Sequence, residues 1–438
     1  MMWTTRTSPA APRAGRAAAL LCTVGLLAAC GGGGGDAAAG GGDDPIQFWG
    51  WVPGLEEQVA QWNTENPDTP VEFHRMTGDD GKKVEAAVDA GAGPDIVQLS
   101  THDLPDYVIN DRVQPITEFV ADTEDLYTPS SWQSVTLAGE VYGVPQGSGP
   151  TAMMYRADVF EKHGIAVPTT WDEYEQAAAA LHAADPNVYI AGFSPSEIGQ
   201  WTQDVSQAGG TYFGIEGDAW SVQVDSPESR RVAERWQRLL DAGLVKTTQM
   251  WTPEYWASVN AGEIATITYA AWFPVQLQEN VADQAGLWRV APQPTYDGTS
   301  VAGDSGGAAD VVLAGADDLE GAAEFLTWIN SDPEQVEHLI SVGGIFPTAL
   351  VGFESEALAE EMPYFGGQRI YDVFRQAAEV VPPTWTDGPA NGQVDADITD
   401  GFGAVATGSS TFAQVLAEAD AAATDRLTDM GLDVVDPS

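Results

Sequence analysis

From residue 45 onward the chain alternates short apolar runs with amphipathic stretches of helical length, and that rhythm narrows the fold more than any other feature. Residues 46–51 (IQFWGW) read as a strand. A helix follows from Gly54 with Leu55, Val59 and Trp62 on one face, stopped at Asn66-Pro67. Val71 and Phe73 mark a second strand, residues 81–90 a helix, and residues 95–99 (DIVQL) a third strand. Strand, helix and strand in succession predict an α/β fold built on a mostly parallel sheet.

The second half keeps this character and gains helix toward its end. Thr170-Trp171-Asp172-Glu173 is a capping box opening an Ala-rich helix. Ser226-Pro227-Glu228 opens another, which runs through Val232, Trp236 and Leu239 to Gly243. A short helix starts at Thr252-Pro253, and residues 264–272 (IATITYAAW) continue as a strand. Further helices are expected at 319–330, 333–341 and 411–430. A single core rarely grows to fill a chain of 438 residues with 44% hydrophobic content, so two domains are expected. No low-complexity linker interrupts residues 45–438, so those domains are not beads on a string.

The N-terminus has a different composition. Arg6, Arg13 and Arg16 carry its only charges, and residues 17–27 form an apolar segment of signal-peptide length, too short for a bilayer span of roughly 20 residues. Leu27-Ala28-Ala29-Cys30 then resembles a bacterial lipobox, in which small residues let a signal peptidase cut just before a cysteine whose sulfur receives a diacylglyceryl group. Five glycines and Asp43-Asp44-Pro45 follow as a tether. The expected layout is a signal peptide at 1–29 and a lipidated Cys30 with its leash at 30–44. The alternative is an ordinary cleaved signal or an N-terminal anchor helix. Cys22 falls inside the removed segment, so the mature chain keeps one blocked cysteine and no disulfide framework.

Eighteen Lys and Arg face 65 Asp and Glu, and losing the three signal arginines leaves 15 against 65, a net charge of −50. Such a field repels nucleic acid and anionic lipid and disfavours phosphorylated or carboxylated ligands. Neutral or cationic ligands fit better.

Five blocks carry a family resemblance: FWGWVPGLEEQVAQWNTENP at 48–67, GPDIVQLS at 93–100, YGVPQGSGPTAMMYRADVFEKHGIAVPTTWDEY at 142–174, AGEIATITYAAW at 261–272, and the GG-x-FPTAL element at 343–350. Together they resemble the extracellular solute-binding lipoproteins of carbohydrate ABC importers, the family 1, maltose-binding-protein-like type. The resemblance implies two α/β lobes joined by three hinge crossings, with ligand bound in the cleft and lobe closure presenting it to a membrane permease. Crossings are expected near 146–150, 299–304 and 343–346. The N-terminal lobe is then 45–148 plus 303–344, and the C-terminal lobe 149–302 plus 345–438. It also implies a monomer, held at the cell surface by the lipid anchor on the outer face of the cytoplasmic membrane. The expected partners are a neutral oligosaccharide and the permease subunits, with no nucleic acid, cofactor or metal.

Candidate site residues follow from the chemistry of a sugar ring, whose apolar face is ringed by hydroxyls and asks for flat aromatic platforms beside planar polar groups. Among the fifteen tryptophans, Trp51 in GWVPG follows the first strand and Trp272 ends the 264–272 strand, where ligands collect in open α/β sheets; the family resemblance also implies a ring-stacking aromatic near Trp272 and a cleft position for Trp201, and Trp385 lies in the polar loop 384–392. Trp62, Trp236 and Trp328 lie on helical apolar stripes and read as core. Polar contacts are expected from Gln146 and Ser148 at the first crossing and from Asp304, Ser305, Gly306 and Gly307 after the second, while His102 and Asp103, past the third strand, resemble the family's first-lobe contact loop. Turn chemistry and helix capping compete for these polar positions. Gln368, in the GGQ at 366–368, reads equally as a ligand contact or a helix cap.

Two rival functions remain. A secreted glycosidase would also carry Trp platforms and paired carboxylates, but no nucleophile elbow, P-loop or metal-ligand spacing is present, and the five histidines lack motif partners. A polyamine or quaternary amine could be held by cation–π contact and carboxylates in the same transport role.

Overall fold

The computed structural model describes residues 44–435 except 78, 79, 218 and 384. The signal segment, Cys30 and most of the tether lie outside the described residues.

Seven strands form the main sheet: β1 (Ile46–Gly50), β2 (Val71–Arg75), β3 (Ile96–Ser100), β4 (Gly143–Arg156), β5 (Thr266–Ala270), β6 (Trp288–Pro292) and β7 (Asp304–Val312). Their order is β5-β4-β7-β3-β1-β2, with β6 also paired to β4. The expected parallel sheet is present in β2-β1-β3, while β7 runs antiparallel to β3 and β4, and β5 and β6 run antiparallel to β4. The parallel reading holds where helices cross over between strands and fails where the chain returns as β7.

β4 is the structural bridge. Its first part, residues 143–150, pairs with β7, and from Thr151 to Arg156 it pairs instead with β5 and β6. Side chains alternate along these strands, so Met153 and Ala265 enter one apolar core while Met154, Ile267 and Val290 enter the other. The core that takes Met154, which also holds Phe48 and Ile96 of β1 and β3, therefore runs on to Tyr255, Trp288 and Phe365. Residues 347–349, expected in the C-terminal lobe, pair with residues expected in the N-terminal one: Pro347 bridges Gly147, Ala349 bridges Tyr127, and Thr128 N–H donates to the Thr348 carbonyl.

Helix starts follow local chemistry. Thr170 and Glu173 form the expected reciprocal capping box on helix Trp171–Ala184. Ser226 and Thr252 cap Pro227–Asp241 and Pro253–Asn260, each with proline at the first helical position. The pairs Leu319–Ser331 and Pro333–Ser341 and the final Phe412–Asp429 stand close to their expected bounds.

Candidate functional site

Past the C-terminal end of β3 the chain makes a single tight turn, Thr101–Asp103, which presents Thr101 and His102 to a cavity of about 480 Å³. That volume lies within the roughly 300–1,000 Å³ usual for small-molecule sites. Its other walls come from helix Ile198–Gln207, the segment around Trp251, the end of β5, the start of β7 and the 381–387 loop. Helix Pro129–Ser134 adds Ser130, Gln133 and Ser134, a hydroxyl and amide wall that the sequence pattern did not point to.

The start of β7 is shaped by glycine. Gly149 packs so closely on β7 that a Cβ there would lie 2.0 Å from the Ser305 carbonyl oxygen, and its N–H donates to Asp304 Oδ1 at 2.8 Å. Gly306 has φ +86°, a left-handed conformation that glycine adopts without strain. Asp304, Ser305 and Gly306 all line the cavity, and burial pushes the Asp304 carboxyl up to about 6.

Trp272 ends the β5 segment and lines the cavity, its Nε1–H donating to the Ser305 carbonyl at 3.2 Å. It is flanked by Tyr269, edge-on at 5.1 Å, and by Trp251, stacked at 5.9 Å. Glu197 ties this wall together: it accepts from Tyr269 Oη–H at 2.9 Å, from the Gly199 N–H at 3.2 Å, and from Trp251 Nε1–H.

On another wall, His102 Nδ1 lies 2.7 Å from Asp387 Oδ1, and its ring lies stacked 6.2 Å from Trp385. Asp387 Oδ1 also accepts from Trp385 Nε1–H at 2.8 Å and from Asn391 Nδ2–H at 3.2 Å. Beside it, Asp106 Oδ1 accepts from the Ala390 N–H at 2.9 Å, a second tie between the β3 end and the same segment. Among the described residues lining the cavity, His102 is the one that can carry positive charge.

Of the expected residues, His102, Trp272, Asp304, Ser305, Gly306 and Trp385 line this cavity. The others stand elsewhere. Trp201 is 2% exposed and packs between Phe402 and Phe412. A residue turns 100° along a helix, so Thr202, next to Trp201, faces the cavity while Trp201 and Val205 face the core. Gln146 is buried with both ends of its amide engaged, accepting from Gln98 and donating to Asp310 Oδ2 at 2.9 Å, so it ties β4 to β3 and β7 and does not line the cavity. Ser148 donates its N–H to the Phe346 carbonyl, and Gly307 packs on Thr101; neither lines the cavity. Trp51 is 39% exposed just past β1, held through its N–H by Gln98, and Asp103 lies beyond the wall without making a capping bond. Gln368 pairs both ways with the backbone of Val290, so its role is to hold β6.

Trp251 and Glu197 were missed. The signal that could have found them is local: Trp251 sits one residue before the Thr252 cap, and Glu197 occupies the N-cap of its own helix.

A family model described as "Bacterial extracellular solute-binding protein" matches residues 50–336. The arabinooligosaccharide-binding protein of Halalkalibacterium halodurans is 24% identical over 341 residues, covering 73% of this chain and 74% of that protein. The lactose-binding protein of Rhizobium radiobacter is 24% identical over 418 residues, 90% of this chain and 92% of that one. Among solved structures, the galacto-N-biose/lacto-N-biose I-binding protein of a Bifidobacterium longum ABC transporter, in complex with lacto-N-biose, matches with a TM-score of 0.80 and 29% identity. The match covers 90% of this chain and all of that one.

Proposed function

The chain belongs to the bacterial extracellular solute-binding proteins, and from that premise we propose that it captures a neutral oligosaccharide for an ABC importer. It is a binding protein and not an enzyme, as the family and the relatives are. The observation that carries the ligand reading is the cavity wall of Trp272, Tyr269 and Trp251 facing a set of hydroxyl, amide and carboxylate groups. Aromatic faces receive the C–H side of a sugar ring, and Asp304 accepts from its hydroxyls. The names of the relatives point the same way, toward saccharides of more than one ring.

The cationic alternative fits less well. Asp387 is already neutralised by His102, and Glu197 is engaged by three neutral donors.

In this reading Trp272, Trp385, His102, Asp304, Ser305 and Gly306 contact the sugar, the lobes close about the β4–β7 hinge, and the closed monomer delivers its cargo to the permease. Cys30 is the lipid-bearing residue that keeps the protein at the cell surface, and Cys30→Ser is expected to move it from the membrane fraction to the medium.

A thermal-shift screen tests the ligand class. Lactose, lacto-N-biose and arabino-oligosaccharides are set against spermidine and choline; a true ligand at a hundred times its Kd stabilises by about 2.7 kcal/mol. Stabilisation by spermidine that survives high salt, with none from any sugar, would reverse the reading.

A further inference from the structure

Trp251 combines three properties that rarely coincide in one residue. Its backbone is left-handed, with φ 67°, a region that bulky residues avoid. The residue is 42% exposed although its indole packs on Trp272 and stands edge-on to Tyr269 at 6.0 Å. Its Nε1–H is held by Glu197, a residue 54 positions away in sequence. A strained backbone persists where the surroundings over-determine it, and such positions cluster at ligand clamps. Here the surroundings are Glu197, whose carboxylate accepts three of the roughly four hydrogen bonds available to it. The result is an indole fixed in place with one face against Trp272 and the cavity beside it.

We propose that Trp251 is a ligand-stacking residue and Glu197 its positioning residue, so that Trp251 and Trp272 form adjacent platforms that select saccharides of two or more rings over single-ring sugars. This rests on the oligosaccharide reading above. Glu197 acts through the ring it orients: its oxygens are engaged by the protein's own donors, so its effect on affinity passes through Trp251 and Tyr269.

The test is calorimetric titration of the mature protein and of Trp251→Gly, Glu197→Gln and the double variant. The probes are lactose, lacto-N-biose and arabinobiose, each beside its component monosaccharides. Glycine accepts φ 67°, and that relief offsets part of the packing lost with the ring, so Trp251→Gly is expected to stay folded with a modest loss in Tm while weakening the best disaccharide about tenfold and its monosaccharides less than about twofold. Glu197→Gln turns an N–H toward the indole N–H and is expected to weaken the same disaccharide, to shift tryptophan emission, and to add little in the Trp251→Gly background. Unchanged disaccharide affinity in Trp251→Gly would overturn the platform while leaving sugar binding intact. Full additivity of the two changes would overturn the positioning role. Failure of the unmodified protein to bind any of these sugars would overturn this proposal and the oligosaccharide reading together.

Discussion

Nδ1 of His102 lies 2.7 Å from Oδ1 of Asp387, joining the end of β3 to a segment almost 300 residues further along the chain. Burial by itself would lower the imidazole pKa, but the Asp387 carboxylate, by charge and hydrogen bond, with Asp395 and Asp103 behind it, raises it to about 9. A folded pKa above the unfolded value of 6.5 means the contact stabilises fully below pH 6.5 and is lost as pH rises through 9. Tm is expected to fall between pH 7 and 10, and His102→Gln should flatten that decline. Equal slopes in the two proteins would show that the pair does not couple to folding.

Among the carboxyl groups that burial pushes up from an ordinary value of 3.8, Asp310 reaches about 7 and Asp304 and Asp395 about 6. The folded state then binds more protons than the unfolded one between pH 4 and 7, so stability rises as pH falls through that window. Acidification also relieves the repulsion of a chain with net charge −47. Differential scanning fluorimetry at pH 5 and pH 8 should give the higher Tm at pH 5. Asp310→Asn, which keeps an oxygen for Gln146 and Asn330, should narrow the difference.

Trp272 and Trp201 separate binding from folding. Trp272→Ala removes a ring from the cavity wall and is expected to weaken oligosaccharide binding about 10- to 100-fold with a small change in Tm. Trp201→Ala empties a site between Phe402 and Phe412 and is expected to cost about 3–5 kcal/mol of stability. Titration and urea unfolding of both variants check the split.

The helix carrying Trp201 is itself anchored by a buried ion pair. Asp204 accepts from Arg235, from Trp236 Nε1–H at 3.0 Å and from Gln293 at 3.2 Å, while the Arg235 guanidinium lies 3.6 Å from the centre of the Trp171 ring. Asp204→Ala leaves the arginine unpaired in the interior and should destabilise by about 3–5 kcal/mol in urea unfolding. A loss under about 1 kcal/mol would mean that water or another acceptor replaces the carboxylate.

What could be read from sequence depended on distance along the chain. Capping at Thr170, Ser226 and Thr252 is written within four residues, and those helices begin where expected. Trp272, expected at the end of its strand before a Phe273-Pro274 turn, instead stands as the residue before helix Phe273–Asn280, and it lines the cavity. Trp201 was not legible, because its helix buries Gln203, Asp204 and Gln207 in hydrogen-bond networks and so hides which face is apolar. Gln146 looked like a free hinge amide until Asp310, 164 residues away, took its donor. Glu197 and Trp251 could be joined only by the fold.

The most direct measurement is the structure of the mature protein crystallised with the oligosaccharide that stabilises it most. A sugar ring lying against Trp272 within the cavity, with hydroxyls donating to Asp304 and a second ring beside Trp251, is the predicted result. A sugar bound away from that cavity, or a polyamine occupying it with its ammonium groups on Asp304 and Glu197, would contradict the account.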